Sequence, residues 1–413
     1  MKTISIALGL VAVTGALRPA LAIEIVFDFR FDSGYISGNS DAVDALQQAA
    51  AYFEPLADSL SAITPGTVYN PGTEFEFQDE WTANLRNPST DEDVSVDNLT
   101  IPQDAIYVFI GSQDLSGPTL GGAAGGGYSV SGIQSFVEAV STRGQQDISG
   151  PAATDYATWG GRIAFDTMDE EGQPRIWNWN ANVLPQSEQV DFLSVAIHEL
   201  THLLGFAFTT DLSGSPDSSF GALVDVANNQ FLGAHSQDVF GGPVPLETMA
   251  GNQPSHWGDD VTSVRTDGAV EQSALMTRSL TPGKRELPTL LDYAALADIG
   301  WEVPDAILDV PVLLGDYNHN GVVDAADYTV WRDRLGSVSA VDEYEVWVEQ
   351  FGAVAGNGGA SAVAVPEPAI PTLLGIVTTL YWLRRRQATA CGHAALRLGP
   401  ASPTWASRRL RRR

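Results

Sequence analysis

Cysteine occurs once in the 413 residues, as Cys391, so no intrachain disulfide can form and stability has to come from packing and bound ions. Basic residues are scarce too. Only 22 Lys and Arg face 51 Asp and Glu, and Lys2, Arg18 and nine arginines from Arg384 onward take half of them. Residues 23–365 keep 11 basic against 50 acidic side chains, a net of −39, a surface that repels nucleic acid and anionic lipid. Histidine is rare as well, with six in the chain, so a pair at metal-ligand spacing is unlikely to be a coincidence.

What is present fits a folded, exported protein of two or three units. Hydrophobic residues make up 44% and charged residues 18%, which excludes a chain disordered throughout. Lys2, the apolar stretch Ile4 to Ala16 and the small-residue site Ala20-Leu21-Ala22 have the order of a secretory signal peptide, residues 1–22.

Residues 24–30 read as a strand, and Val43, Leu46, Ala50, Phe53, Ala57 and Leu60 follow at helical spacing until Pro55 limits the helix. Ala105 to Gly111 reads as a buried strand. The glycine-rich run Gly121 to Gly127 reads as a loop, without the lysine of a phosphate-binding loop. Gly161 to Asp166 and Ile176 to Trp179, on either side of the turn Asp169-Glu170-Glu171-Gly172, read as an antiparallel pair. Asp191 is placed to cap a helix ending near Gly205, and a loop-rich lobe then runs to a short helix over Leu290 to Ile299.

The chemistry concentrates in His198-Glu199-Leu200-Thr201-His202. Two imidazoles four residues apart on a helix project from one face and can share one ion, with Glu199 beside them as a base. Leu193, Ile197, Leu200 and Leu204 supply the opposite, apolar stripe. The competing reading is two hydrogen-bonded histidines on an amphipathic helix. Gly205 can end that helix in a left-handed turn and send the chain back beneath the site.

With that glycine the motif resembles the metzincin clan of zinc peptidases, HExxHxxGxxH followed by a Met-turn. Phe208 stands where the clan's usual third ligand falls, so another residue has to complete the set. His256, in Pro254-Ser255-His256-Trp257, is the leading candidate; His235, Asp211 and Asp225 compete, each also readable as a loop or turn residue. A third histidine after a long insertion, followed by tryptophan, is similar to the leishmanolysin-like branch. Ala274-Leu275-Met276 resembles its Met-turn, with Met276 structural rather than a ligand.

The resemblance covers residues 23–303 and implies an α+β, zincin-like, two-lobed catalytic domain with a mixed sheet and an active-site helix. It also implies catalytic Zn2+ on His198, His202 and His256, and a metal-activated water with Glu199 as general base. The substrate would be a protein or peptide lying along an edge strand, for which Gly161 to Asp166 is the nearest match.

From Asp316 to Asp327, oxygen-bearing side chains stand at loop positions 1, 3, 5, 9 and 12: Asp316, Asn318, Asn320, Asp324 and Asp327. Gly321 is at position 6 and the carbonyl of Val322 at position 7. With the helix behind it, this Ca2+ loop resembles a dockerin repeat, making residues 304–352 a small helical dockerin-like module. The second loop before Asp342 to Gly352 is cut to a few residues, which leaves both a cohesin-like partner and a purely structural module open.

Residues 353–364 read as a linker. Val365-Pro366-Glu367-Pro368, the apolar run Ala369 to Leu383 and Arg384-Arg385-Arg386 together resemble a PEP-CTERM sorting signal, residues 365–386. That implies a bacterial exosortase-type partner, an envelope or extracellular destination and a transient membrane anchor, because 15 apolar residues fall short of the roughly 20 of a stable span. Residues 387–413 form a basic tail with no assigned role. The leading expectation is therefore an exported zinc-dependent endopeptidase. The alternative is a non-catalytic surface or matrix protein with structural zinc and calcium sites.

Overall fold

The computed structural model describes residues 22–210, 215–247, 254–266, 271–308, 315–316, 322–333 and 340–354. The chain divides into two units, 1–361 and 362–413, and the sorting segment and basic tail fall in the second, outside the described residues. The described residues form a mixed α and β structure with several sheets.

Apolar and β-branched residues make Ala105–Gln113 the central strand of a four-stranded sheet. Glu24–Asp28 pairs with it in parallel on one side and Gly160–Asp166 in parallel on the other. Gly121–Gly125 then pairs antiparallel with Gly160–Asp166 and forms the edge.

Alternation assigns the two faces of this sheet to two cores. Ile106, Val108, Ile110, Ile163 and Phe165 pack against the helix side, while Ala105, Phe109 and Trp159 pack against Trp81, Ala83 and Phe136. The second core is closed by an antiparallel sheet in which Glu80–Arg86 lies between Asp93–Asp97 and Gly127–Ser131.

Two helices fill the helix side. Ser40–Ala51, capped by Asn39, buries Ala42, Ala45, Leu46, Ala49 and Ala50 and packs on the helix Phe192–Leu203. It stops short of Pro55, which cannot continue a helix. Phe192–Leu203 is buried on nearly every face, so its position is fixed by the core.

Two expectations are corrected. The glycine-rich run is a strand over Gly121–Gly125, because it has to pass close over Glu199: a Cβ at Gly121 would sit 2.8 Å from Oε1. Gly160–Asp166 is consequently an interior strand, and the edge belongs to Gly121–Gly125. Nor does Ile176 to Trp179 return antiparallel along Gly160–Asp166. The Asp169–Gly172 turn closes with the Met168–Pro174 bridge, after which Trp177–Asn178 pairs in parallel with Val190–Asp191.

The loop-rich lobe holds two short helices, Ser219–Ala222 and Ala234–Phe240, and then the expected helix Leu290–Asp298. Beyond it, helices Ala325–Asp333 and Ala340–Gln350 meet through the rings of Tyr328, Trp331, Tyr344 and Trp347. No helix of the described residues is long and apolar enough to cross a membrane.

Candidate functional site

Asp191 starts the helix Phe192–Leu203 by accepting from the backbone N–H of Ser194, and Arg285 and Asn178 hold that carboxylate in turn. At the other end Gly205 takes φ 103°, a left-handed conformation that glycine adopts without strain. Tyr156 and Trp301 donate to the carbonyls of Leu203 and Leu204, which the helix leaves unpaired. The Gly205 turn brings the carbonyl of Phe206 to 2.7 Å from Nδ1 of His202.

The other two histidines are held the same way. His198 Nδ1 lies 2.9 Å from the carbonyl of Leu275, and His256 Nδ1 lies 2.6 Å from Oε1 of Glu247. An acceptor at each Nδ1 fixes its proton there and leaves Nε2 as the lone-pair nitrogen. Nε2 of His202 and Nε2 of His256 approach to 3.1 Å, and one nitrogen from each of the three rings lies within 4.8 Å of the others.

Two lone pairs facing each other at that distance repel unless a cation or proton lies between them. Burial disfavours a proton on two of the rings: it lowers the pKa of His198 to about 3 and puts His202 well below its usual value, with the neighbouring imidazoles adding to both. Three imidazoles oriented with their Nε2 atoms together are the donor set of a three-histidine metal site, so the residues fit the ion.

Glu199 lies on the same helix, 6% exposed, under the edge strand. Burial pushes its pKa up to about 8, against the lowering effect of a hydrogen bond from the backbone of Ala123.

The Ala274-Leu275-Met276 turn ties the site to the helix behind it. Asp292, fully buried, accepts from the backbone N–H groups of Leu275 and Met276, from Nε1 of Trp257 and from both the N–H and the hydroxyl of Thr289. Met276 is fully buried, and its carbonyl accepts from the N–H of Trp257. Trp257 packs edge-on to Phe206 and Phe231, so the residues flanking His202 and His256 share one aromatic cluster.

Two of the competing ligands have other partners. His235 is exposed and pairs with Asp298, Asp225 accepts from the backbone of Ala227 and Asn228, and Asp211 lies outside the described residues. Phe208 is buried and its N–H donates to Ser255, next to His256.

Glu247 and Asp292 escaped the sequence reading. Glu247 reaches His256 because its N–H pairs with the carbonyl of His256 beside the Leu246–Trp257 bridge, a cross-strand relation that leaves no spacing signature. For Asp292 the signal was the Thr289-x-x-Asp292 capping box, which the structure contains.

In the calcium-loop segment Asp316 and Asp327 are buried, and Asp327 accepts from the N–H of Asp324. Val322 bridges Val354, while Asn318 and Asn320 lie outside the described residues. Comparison with family models, curated proteins and solved structures finds no match.

Proposed function

We propose that the protein is an exported zinc-dependent endopeptidase of metzincin type, with a zincin-like, two-lobed catalytic domain over residues 23–303. The observation that carries the reading is the convergence of three Nδ1-anchored imidazoles beside a buried carboxyl beneath a strand edge that is unpaired among the described residues. His198, His202 and His256 would hold Zn2+, which when bound supplies Lewis-acid polarisation of a carbonyl and of water.

The chain's own residues supply the rest. In the edge pairing, Asp166 N–H donates to Leu120 and Gly126 N–H to Gly160. Antiparallel alternation then turns the backbone groups of Gly121, Ala123 and Gly125 to the open side. An extended peptide can pair there through its backbone, independently of most of its sequence. Glu199, under the edge strand beside Gly121, sits where a carboxylate can take a proton from the attacking water and return it to the leaving amine.

The reading extends to a Ca2+-binding, dockerin-like module formed by Asp316, Asn318, Asn320, Val322, Asp324 and Asp327, and to envelope sorting through residues 365–386. A purified full-length chain tests the catalytic core. One zinc per chain and casein hydrolysis are expected in wild type, and loss of both in His256→Ala. Zinc retained in His256→Ala would overturn the ligand set.

A further inference from the structure

Arg162, on the central sheet, has a weakly held charge. It stands on Gly160–Asp166 directly opposite Ala124 of the edge strand. Its side chain is 18% exposed, and among the described residues its guanidinium has one partner, Asp91, at 3.5 Å. Asp91 is already bonded at 2.8 Å by Arg86, which reaches Asp93 at 3.7 Å as well. A guanidinium carries five donors, and a mostly buried one without close acceptors is costly. Burial lowers the pKa of Arg162 and the neighbouring Arg86 adds to this, against the opposing effect of Asp91.

Both arginines line a cavity of about 500 Å3 bounded by Asn84, Asp93, Ala124 and Gly125. The cavity lies on the sheet face opposite the helix that carries His198 and His202. A Cβ at Gly161 would touch Leu203 of the active helix, so position 162 and its cross-strand partner Ala124 face the other way. Along an added strand, side chains alternate between these two faces.

Resting on the endopeptidase reading, we infer that this cavity is a specificity subsite for an acidic side chain, carried by the substrate residue that lies opposite Ala124. A carboxylate entering it completes a bidentate pair with Arg162 and displaces the weak hold of Asp91. Two of the 11 basic residues between 23 and 365 thus line one cavity on a strongly acidic surface, whose field would otherwise repel a carboxylate.

The test is cleavage of a mixed peptide library by the full-length protein, read by mass spectrometry, followed by kcat/KM on matched Glu and Gln peptides. Wild type is expected to favour Glu over Gln by about tenfold or more at one position, the size of a charge-assisted pair. Arg162→Gln should abolish that ratio, and Arg162→Glu should shift the preference to Lys, an effect that lost packing alone does not produce. A wild type without acidic preference, or a preference that survives Arg162→Gln, overturns the inference.

Binding of the same peptides to Glu199→Gln, followed by fluorescence anisotropy, separates the two claims. If wild type cleaves nothing, the endopeptidase reading fails. Tighter binding of the Glu peptide that depends on Arg162 still supports the subsite, and equal binding of both peptides overturns it.

Discussion

Glu247 holds His256: Oε1 lies 2.6 Å from Nδ1, while Oε2 is buried and has no partner among the described residues. A carboxylate behind a ligating imidazole fixes the ring and raises its basicity. Glu247→Ala should therefore weaken zinc affinity by about 10–100-fold in a chelator competition. Unchanged affinity would show that His256 orients itself.

Gly121 is needed for the approach of the edge strand to Glu199, where an added Cβ would sit 2.8 Å from Oε1. Gly121→Ala should keep its zinc but lose most hydrolysis. Gly122→Ala, where the added Cβ meets nothing within 4 Å, should retain both. Equal rates for the two variants would separate the edge strand from the chemistry.

Asp292 gathers the Met276 turn, Trp257 and the cap of Leu290–Asp298 through five hydrogen bonds. Asp292→Ala leaves several buried donors without acceptors and should cost about 3 kcal/mol or more in urea unfolding. A loss under about 1 kcal/mol would mean the turn stands without it.

Glu286, 6% exposed, has its pKa pushed up to about 7 by burial, with Asp292 raising it further and Lys284 opposing. Its folded pKa exceeds the unfolded value of 4.5, so the folded state binds the extra proton between those values. The stability this carries is complete below about pH 4.5 and is lost as pH rises through about 7. Glu286→Gln should therefore gain melting temperature relative to wild type as pH goes from about 5 to 7. A constant difference would contradict the shift.

The helix Phe192–Leu203 was legible because every signal for it is local: the Asp191 cap, the His198 and His202 spacing, and Gly205 at the exit. His256 could be named only by analogy, since 54 residues separate it from His202. The edge strand was misread because glycine lowers strand propensity, whereas here its missing side chain is what lets backbone meet Glu199. Trp177–Asn178 was misassigned because a true turn at Asp169–Gly172 does not dictate which strand the chain joins next. Glu247 depends on a pairing that forms only once the lobe has folded.

The central claim is that Glu199 moves the proton in peptide hydrolysis at a site built by His198, His202 and His256. Its most direct test is casein hydrolysis by wild type and Glu199→Gln at equal measured zinc content. The account predicts hydrolysis by wild type and a rate lower by about 100-fold or more in the variant, the usual scale of a positioned base. Equal hydrolysis by the two proteins would contradict it.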